Sequence, residues 1–298
     1  MALGVDIGGT QIKAARVSCE GEILEARKIA TPDSLEAFGG AVRGLIAGLG
    51  GGPIGVGCKG IIDPATSRVD VLPGTLHYLE GQVLSELLGA KVAADNDARV
   101  ALAGEHRWGA ARGYQHVLML TLGTGVGGGV ISHGRLLRGA SGVAGHIGHL
   151  TIDPAGAPCI CGNRGCLETV FSSRAIEAQA FSAVHRGVAS RLGRGAACAD
   201  VFALAAQGDL VAADIVFEAT YKLAAAVAGL VMVFDPEVIV IGGQIAAAGE
   251  QLLDPLRQEI HARTRLMLRR DVPVIATRLS DPSGVLGAAA LALDASVG

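Results

Sequence analysis

The chain has 298 residues, enough for about two domains of 150 residues or one large α/β domain. Half of it is hydrophobic, and Lys+Arg 25 against Asp+Glu 28 leaves a net charge of −3. That balance disfavours a dedicated nucleic-acid binder. A charged fraction of 18% with no long one-sign tail disfavours disorder.

The 44 glycines are about twice ordinary usage. They cluster at Gly8-Gly9, Gly50–Gly52, Gly123–Gly129 and Gly242-Gly243, between apolar runs. Such clusters mark turns where backbone approaches something closely. Leu223 to Phe234 is an apolar stretch of 12 residues, short of the roughly 20 a membrane span needs, so it reads as a buried helix. The N-terminus reads as a first strand, not as a signal peptide. Six cysteines without such a peptide point to a reducing cytoplasmic setting and to metal or thiol roles.

In chain order, Leu3 to Ile7, Ile12 to Ser18 and Glu22 to Thr31 read as strands. Ser34 caps a helix that Gly50–Gly52 ends. Ile54 to Cys58 is a buried strand, Gln82 to Leu88 a helix, Val92 to Ala94 a strand and Asp97 to Arg107 a helix. A second series starts near His116. His116 to Leu122 is a strand, followed by a glycine turn and a strand from Gly129 to Ser132. The stretch from Phe171 to Phe234 is mostly helical. Glu237 to Ile241 and Val272 to Ala276 are strands, and Gly284 to Leu293 is a last helix. Strands alternating with helices mean an α/β fold. The repeated strand–turn–strand unit hints at duplication.

Four constellations carry chemistry. In Asp6-Ile7-Gly8-Gly9-Thr10, a carboxylate at a strand end suits Mg²⁺, and glycine N–H groups with a hydroxyl suit phosphate oxygens. An ordinary glycine hairpin would look the same. Leu122 to Gly129 is a second such turn, and Gly242-Gly243 follows a third strand. No Gly-Lys-Ser/Thr follows either turn, and a strand rather than a helix succeeds it, so neither a Walker A loop nor a Rossmann fingerprint is present. Asp95-Asn96-Asp97 could orient a hydroxyl and take its proton, or could simply cap a helix. His149, Cys159, Cys161 and Cys166 offer one imidazole and three thiolates, the ligand set of a closed structural Zn²⁺ site. Three unligated thiols are the plain alternative.

Together and in this order, the four resemble the ROK family of bacterial sugar kinases and sugar-responsive repressors, from about residue 3 to residue 292. The resemblance implies an actin-like ATPase (ribonuclease H-like) fold, with two α/β domains around a cleft. Residues 1–112 and a C-terminal helix, about 284–298, would form the smaller domain. Residues 113–283 would form the larger one, with the zinc site. It implies transfer of the ATP γ-phosphate to a sugar hydroxyl, usually the 6-hydroxyl of a hexose, with Asp97 as the base. Asn96, His146, His149, Glu168, Lys59 and Gly60 would lie on the sugar side. Asp6, Gly8, Gly9, Thr10, Lys13, Gly123, Thr124, Gly125, Gly242 and Gly243 would serve ATP and Mg²⁺. The zinc would fix the orientation of His149. A homodimer or homotetramer is implied; a nucleic-acid or membrane partner is not.

Three positions depart from the family pattern. His146 stands where Glu is usual, Lys59 where Pro is common, and Gly74, after Pro73, where Asn is common. They point to a hexose other than glucose, an amino sugar or a sugar-like polyol; glucose itself remains an alternative. A non-catalytic sugar sensor would have no need of Asp97. A repressor of the family carries a DNA-binding segment ahead of its first phosphate motif, and only five residues precede Asp6.

Overall fold

The computed structural model describes residues 1–72, 74–279 and 283–296. Pro73 and the last two positions of the expected C-terminal helix lie outside the described residues. In chain order the elements are β1 (Ala2–Ile7), β2 (Gln11–Val17), β3 (Ile23–Ala30), α1 (Leu35–Ala47), β4 (Ile54–Cys58), β5 (Ile61–Asp63), β6 (Arg68–Val71), α2 (Leu84–Leu88), β7 (Val92–Asn96) and α3 (Asp97–Trp108). Then come β8 (Val117–Leu122), β9 (Val126–Ser132), β10 (Arg135–Leu136), α4 (Ser173–His185), α5 (Cys198–Ala206), α6 (Leu210–Phe234), β11 (Val238–Gly242), α7 (Glu250–Leu268), β12 (Val274–Ala276) and α8 (Ser283–Ala295).

The chain divides into two units. The first holds residues 1–113, 136–145 and 277–298; the second holds 114–135 and 146–276. In the first unit a five-stranded sheet runs β3-β2-β1-β4-β7. The first two pairings are antiparallel, whereas β1, β4 and β7 are parallel. Period-two alternation sorts the faces. Leu3, Val5, Ile7, Val56, Cys58 and Ala94 join Phe38, Val42 and Leu45 of α1 in one core. Ala2, Ala15 and Val17 face Val285, Leu286 and Ala289 of α8. On that side Gly4 and Gly55 admit α8. A Cβ on them would lie 1.9 Å from the Val285 carbonyl oxygen and 1.7 Å from that of Ala288.

Residues 136–145 were expected in the second domain. Their place in the first unit has a physical cause. Arg138 Nε donates to Asp95 Oδ2 at 2.8 Å, and Arg99 Nη1 donates to the carbonyls of Gly142 and Ala144 at 2.7 and 2.8 Å. Residues 277–279 also join this unit. The buried Glu105 carboxylate accepts from Ala110 N at 2.6 Å, Arg278 N at 3.1 Å and Leu279 N at 2.8 Å.

In the second unit a five-stranded sheet runs β10-β9-β8-β11-β12, with β8, β11 and β12 parallel and β9 antiparallel to β8. The second glycine turn is shorter than its glycines suggest. Strand β9 begins at Val126, and Gly127, Gly128 and Gly129 pair with Thr121, Leu120 and Met119. Gly128 leaves room within the strand for Ile147: a Cβ there would meet Ile147 Cδ1 at 2.6 Å, so the isoleucine would have to shift. The sequence reading assigns nothing over 244–271, where α7 lies; Pro255 inside that helix interrupts its pattern. It also misses the β5–β6 hairpin, whose strands have three and four residues. Helix α6 extends well beyond the apolar stretch seen in the sequence. At 25 residues it is long and apolar enough to cross a membrane by length and composition alone. Its buried side packs on α5 and α7, and Asp214, Glu218 and Lys222 lie on its exposed side.

Removing the buried Glu105 carboxylate leaves three part-buried N–H donors without their acceptor, so Glu105→Ala should cost about 2–4 kcal/mol in urea unfolding. Asp209 caps α6 and accepts from Arg191 N at 2.7 Å and Ala212 N at 3.0 Å. These backbone bonds lower its pKa from 3.8 to about 2. The stabilisation is therefore present above the unfolded pKa and lost as pH falls through the folded one. The stability gap between the parent and Asp209→Asn should be flat near neutrality and close between about pH 4 and 2.

Candidate functional site

In the first unit the parallel strands end together. Ile7 pairs with Cys58, and Cys58 with Asn96. Adjacent strands lie about 4.8 Å apart, so three chain ends carrying chemistry occupy roughly 10 Å of one carboxyl edge. Ligands of open α/β sheets bind at such edges. Asp6 sits opposite Lys13 across β1–β2, on the same face. The Asp6 carboxylate leans on the start of α8, where a Cβ at Gly284 would meet its Oδ2 at 2.5 Å. After Gly8 the chain turns into β2, with Gly8 N donating to Gln11 O at 3.1 Å.

The base candidate stands at the start of α3. Asn96 is the N-cap: its Oδ1 accepts from Ala98 N at 3.0 Å, and its Nδ2 donates to Gly60 O at 3.0 Å. The capping reading of this segment therefore holds for Asn96, and capping fixes the amide and holds it on the β4 turn. Asp97 is exposed, and its Oδ1 accepts from Ala98 N at 2.9 Å. The buried Cys58 thiol registers this edge electrostatically. Burial, then the charges of Asp97 and Asp6, push its pKa up to about 12, and Lys59 opposes them. Lys59 Nζ donates to Thr75 Oγ1 at 2.7 Å. A side chain at Gly9 would meet that same hydroxyl at 2.9 Å, and one at Gly74 would lie 3.8 Å from Lys59 Nζ. Lys59, Thr75, Gly74 and the Gly8-Gly9 turn thus converge on one spot. Thr75 was not singled out in the sequence, because its role depends on the fold of 72–79.

In the second unit, Gly242 pairs with Thr121, so the Gly123–Gly125 turn and Gly243 leave neighbouring strand ends. Gly243 has φ 84°, and a Cβ there would lie 2.3 Å from Leu122 O, so only glycine fits. Gln244 Nε2 reaches Thr124 Oγ1 at 3.5 Å. Gln244 is a further residue missed in the sequence. Glu168 closes the turn from the other side. Its Oε2 accepts from Val126 N at 3.2 Å and lies where a Cβ at Gly125 would be, at 2.3 Å.

The same Glu168 lies 4.0 Å from Cys159 Sγ through Oε1. His149, Cys159, Cys161 and Cys166 place their ligand atoms within 4.8 Å of one another. Cys161 and Cys166 sulfurs are 3.7 Å apart, and Cys159 Sγ is 3.5 Å from His149 Nδ1. Zinc bond lengths in a tetrahedron require about 3.8 Å between sulfurs and about 3.6 Å from sulfur to nitrogen. Those two separations match, and the whole set lies close enough together to hold such an ion. Burial and the neighbouring thiols raise Cys166 to about 12, so the cluster does not stabilise three thiolates unaided. The His146 ring stacks on His149 at 6.5 Å between centroids. The turn between them, which begins after His146 and ends on His149, lies tight on β9: a Cβ at Gly148 would meet Val126 O at 1.9 Å.

Comparison with known proteins agrees across the whole length. A glucokinase of Thermotoga maritima is 36% identical over 97% of this chain and 96% of its own. An N-acetylmannosamine kinase of Shigella boydii is 33% identical over 97% of each. The crystal structure of a ROK family glucokinase from Streptomyces griseus, in complex with glucose and AMPPNP, superposes with a TM-score of 0.82 at 34% identity, covering 98% of this chain and 99% of that one. The family model for ROK matches residues 2–295. The chain belongs to the ROK family.

Proposed function

We propose that the chain is an ATP-dependent sugar kinase that phosphorylates a hydroxyl, the 6-hydroxyl by family analogy, of a hexose or an N-acylated amino sugar. The observation that carries this reading is the exposed Asp97 carboxylate beside Asn96, the N-cap of α3, on the same strand edge as Asp6 and the Gly8-Gly9 turn. A binding protein would have no use for a base at that point, which disfavours the sensor.

Phosphoryl transfer needs positioning and charge neutralisation more than covalent chemistry. Asp97 accepts the proton of the sugar hydroxyl as its oxygen bonds to the γ-phosphorus. The bond from the γ-phosphorus to the β,γ-bridging oxygen breaks, and ADP leaves. The Ala98 N–H holds one oxygen of Asp97 and so fixes its orientation. Asn96 has a second amide hydrogen beyond the one given to Gly60, suited to a sugar hydroxyl. The Gly8-Gly9 and Gly123–Gly125 turns, with the Thr10 and Thr124 hydroxyls and Lys13, are assigned to the phosphates; Gly8 N and Gly123 N already bond Gln11 O and Gly125 O, so the backbone donors assigned are those of Gly9 and Gly125. Gly242 and Gly243 are assigned to the nucleoside side. Asp6 would hold Mg²⁺, which supplies charge neutralisation at the phosphates.

The cysteine cluster is assigned to a structural Zn²⁺. A metal held there by His149 through Nδ1 would leave Nε2 protonated, as a donor to a sugar hydroxyl. His146 in place of a carboxylate donates one hydrogen bond and accepts one, which shifts preference among hydroxyl patterns. Six free thiols among the described residues accord with a cytoplasmic enzyme. Leu210, Phe217 and Tyr221, exposed on α6 among Asp214, Glu218 and Lys222, give a mixed apolar and charged surface suited to a homodimer or homotetramer.

Asp97→Ala should lower kcat by about 10²- to 10⁴-fold, with far smaller changes in KM. ADP release would be followed over glucose, mannose, N-acetylmannosamine, N-acetylglucosamine and polyols. Turnover of none of them by a folded, ATP-binding protein would sink the kinase reading. Glucose turnover equal to that of the best other sugar would remove the specificity role of His146. Elemental analysis should find one zinc per chain in the parent and none in Cys166→Ser. Loss of the metal should lower Tm by about 2–4 °C for each kcal/mol of binding energy withdrawn.

A further inference from the structure

The first unit holds a charged cluster that the proposed chemistry does not use. Asp95 and Arg99 are fully buried, each 0% exposed. Asp95 Oδ1 accepts from Arg99 Nε at 2.6 Å and from Asn96 N at 2.8 Å. Arg99 Nη2 lies 2.6 Å from the same oxygen at an angle too bent for a hydrogen bond, so that contact is electrostatic. Asp95 Oδ2 takes Arg138 Nε at 2.8 Å. Arg99 Nη1 then reaches the carbonyls of Gly142 and Ala144.

Burying such a set is a weak way to gain stability. Desolvation of each ion offsets the mutual attraction, and apolar replacements of similar volume are often no less stable. Its placement suggests another role. Asp95 precedes Asn96 and Asp97 in the chain, and Arg99 lies on the first turn of α3. Arg138, Gly142 and Ala144 belong to the segment that leads directly into His146. One carboxylate therefore binds the strand end that carries the base to the segment that enters the Gly145–His149 run. A guanidinium suits such a junction, because its planar fork spans a carboxylate and two carbonyls at fixed angles, which lysine does not.

We propose that Asp95, Arg99 and Arg138 are positioning residues for sugar, holding Asn96 and Asp97 and the 138–144 segment in one fixed arrangement. The proposal rests on the kinase reading. A displacement of about 1 Å at a reacting group can lower turnover by about 100-fold, so loss of the cluster should register in kinetics before stability.

The test pairs two sets of variants, read with the best sugar substrate. In Asp95→Leu/Arg99→Met the ion pair becomes apolar at similar volume, so no unpaired charge is left buried at positions 95 and 99. Arg138→Met removes the partly exposed arm and leaves Asp95 paired with Arg99, so it folds even if the double variant does not. The expected result is kcat/KM for sugar lowered about 10- to 100-fold, with KM for ATP and Tm close to the parent values. Arg138→Lys, which restores one donor to Asp95, should recover part of the loss. Unchanged sugar kinetics in Arg138→Met and in any folded double variant would overturn the proposal. So would equal loss toward sugar and ATP with a lowered Tm, the mark of general destabilisation. An inactive parent would instead sink the kinase reading, since these variants are compared only with an active one.

Discussion

Helix α8 approaches β1 and β4 to within a distance that only glycine allows, and the first unit's site depends on that contact. The α8 carbonyls of Val285 and Ala288 occupy the space of the missing Cβ atoms of Gly4 and Gly55. Any larger residue would lift the helix by the width of a methyl group. The strand ends would then lose the support that aligns Ile7, Cys58 and Asn96. The same approach sets Asp6. Its carboxylate lies against Gly284 at the start of α8, where the partial positive charge of a helix N-terminus favours an anion. Packing and electrostatics thus act through one contact, and the high glycine content follows from close packing as much as from turns.

Charge is arranged differently in the two halves of this edge. Asp6 and Asp97 remain partly or fully exposed, where carboxylates can meet a cation or a proton donor. Asp95, in register with Asp6 through Gly57, is buried and compensated by guanidinium groups. Neighbouring residues of one tripeptide therefore have opposite fates. The pleat turns Asp95 toward the α3 side, while Asp97 begins the helix and projects from its first turn.

What the sequence made legible was local. The glycine turns, the Asn-Asp pair and the His-Cys set are contiguous runs whose chemistry is visible in residue types and spacing. What stayed hidden depended on burial or on distant partners. Arg99 looks like an ordinary helical arginine until residues 142–144 are folded onto it. Gly127 and Gly128 read as turn because glycine is a poor strand former, and only the pairing with β8 shows them to be strand. Leu252, Leu253, Leu256 and Ile260 carry the spacing of α7, but Pro255 falls among them. Thr75 and Gln244 gain their positions from loops whose course no periodicity encodes.

Glu168 connects the two chemistries of the second unit. One of its oxygens is fixed by the Val126 N–H beside Gly125, and the other lies near Cys159. The turn assigned to phosphate and the cluster assigned to zinc are therefore joined by a single side chain two residues after Cys166. A metal that fixed the cysteines would fix the backbone at Glu168, and Glu168 would in turn hold the Gly123–Gly125 turn. His149 belongs to the same cluster and stands on a turn that packs directly on β9. On this geometry a structural ion need touch neither sugar nor nucleotide to matter for both. Its influence would pass through Glu168 on one side and His149 on the other, as outer partners of a metal site do when they orient functional groups.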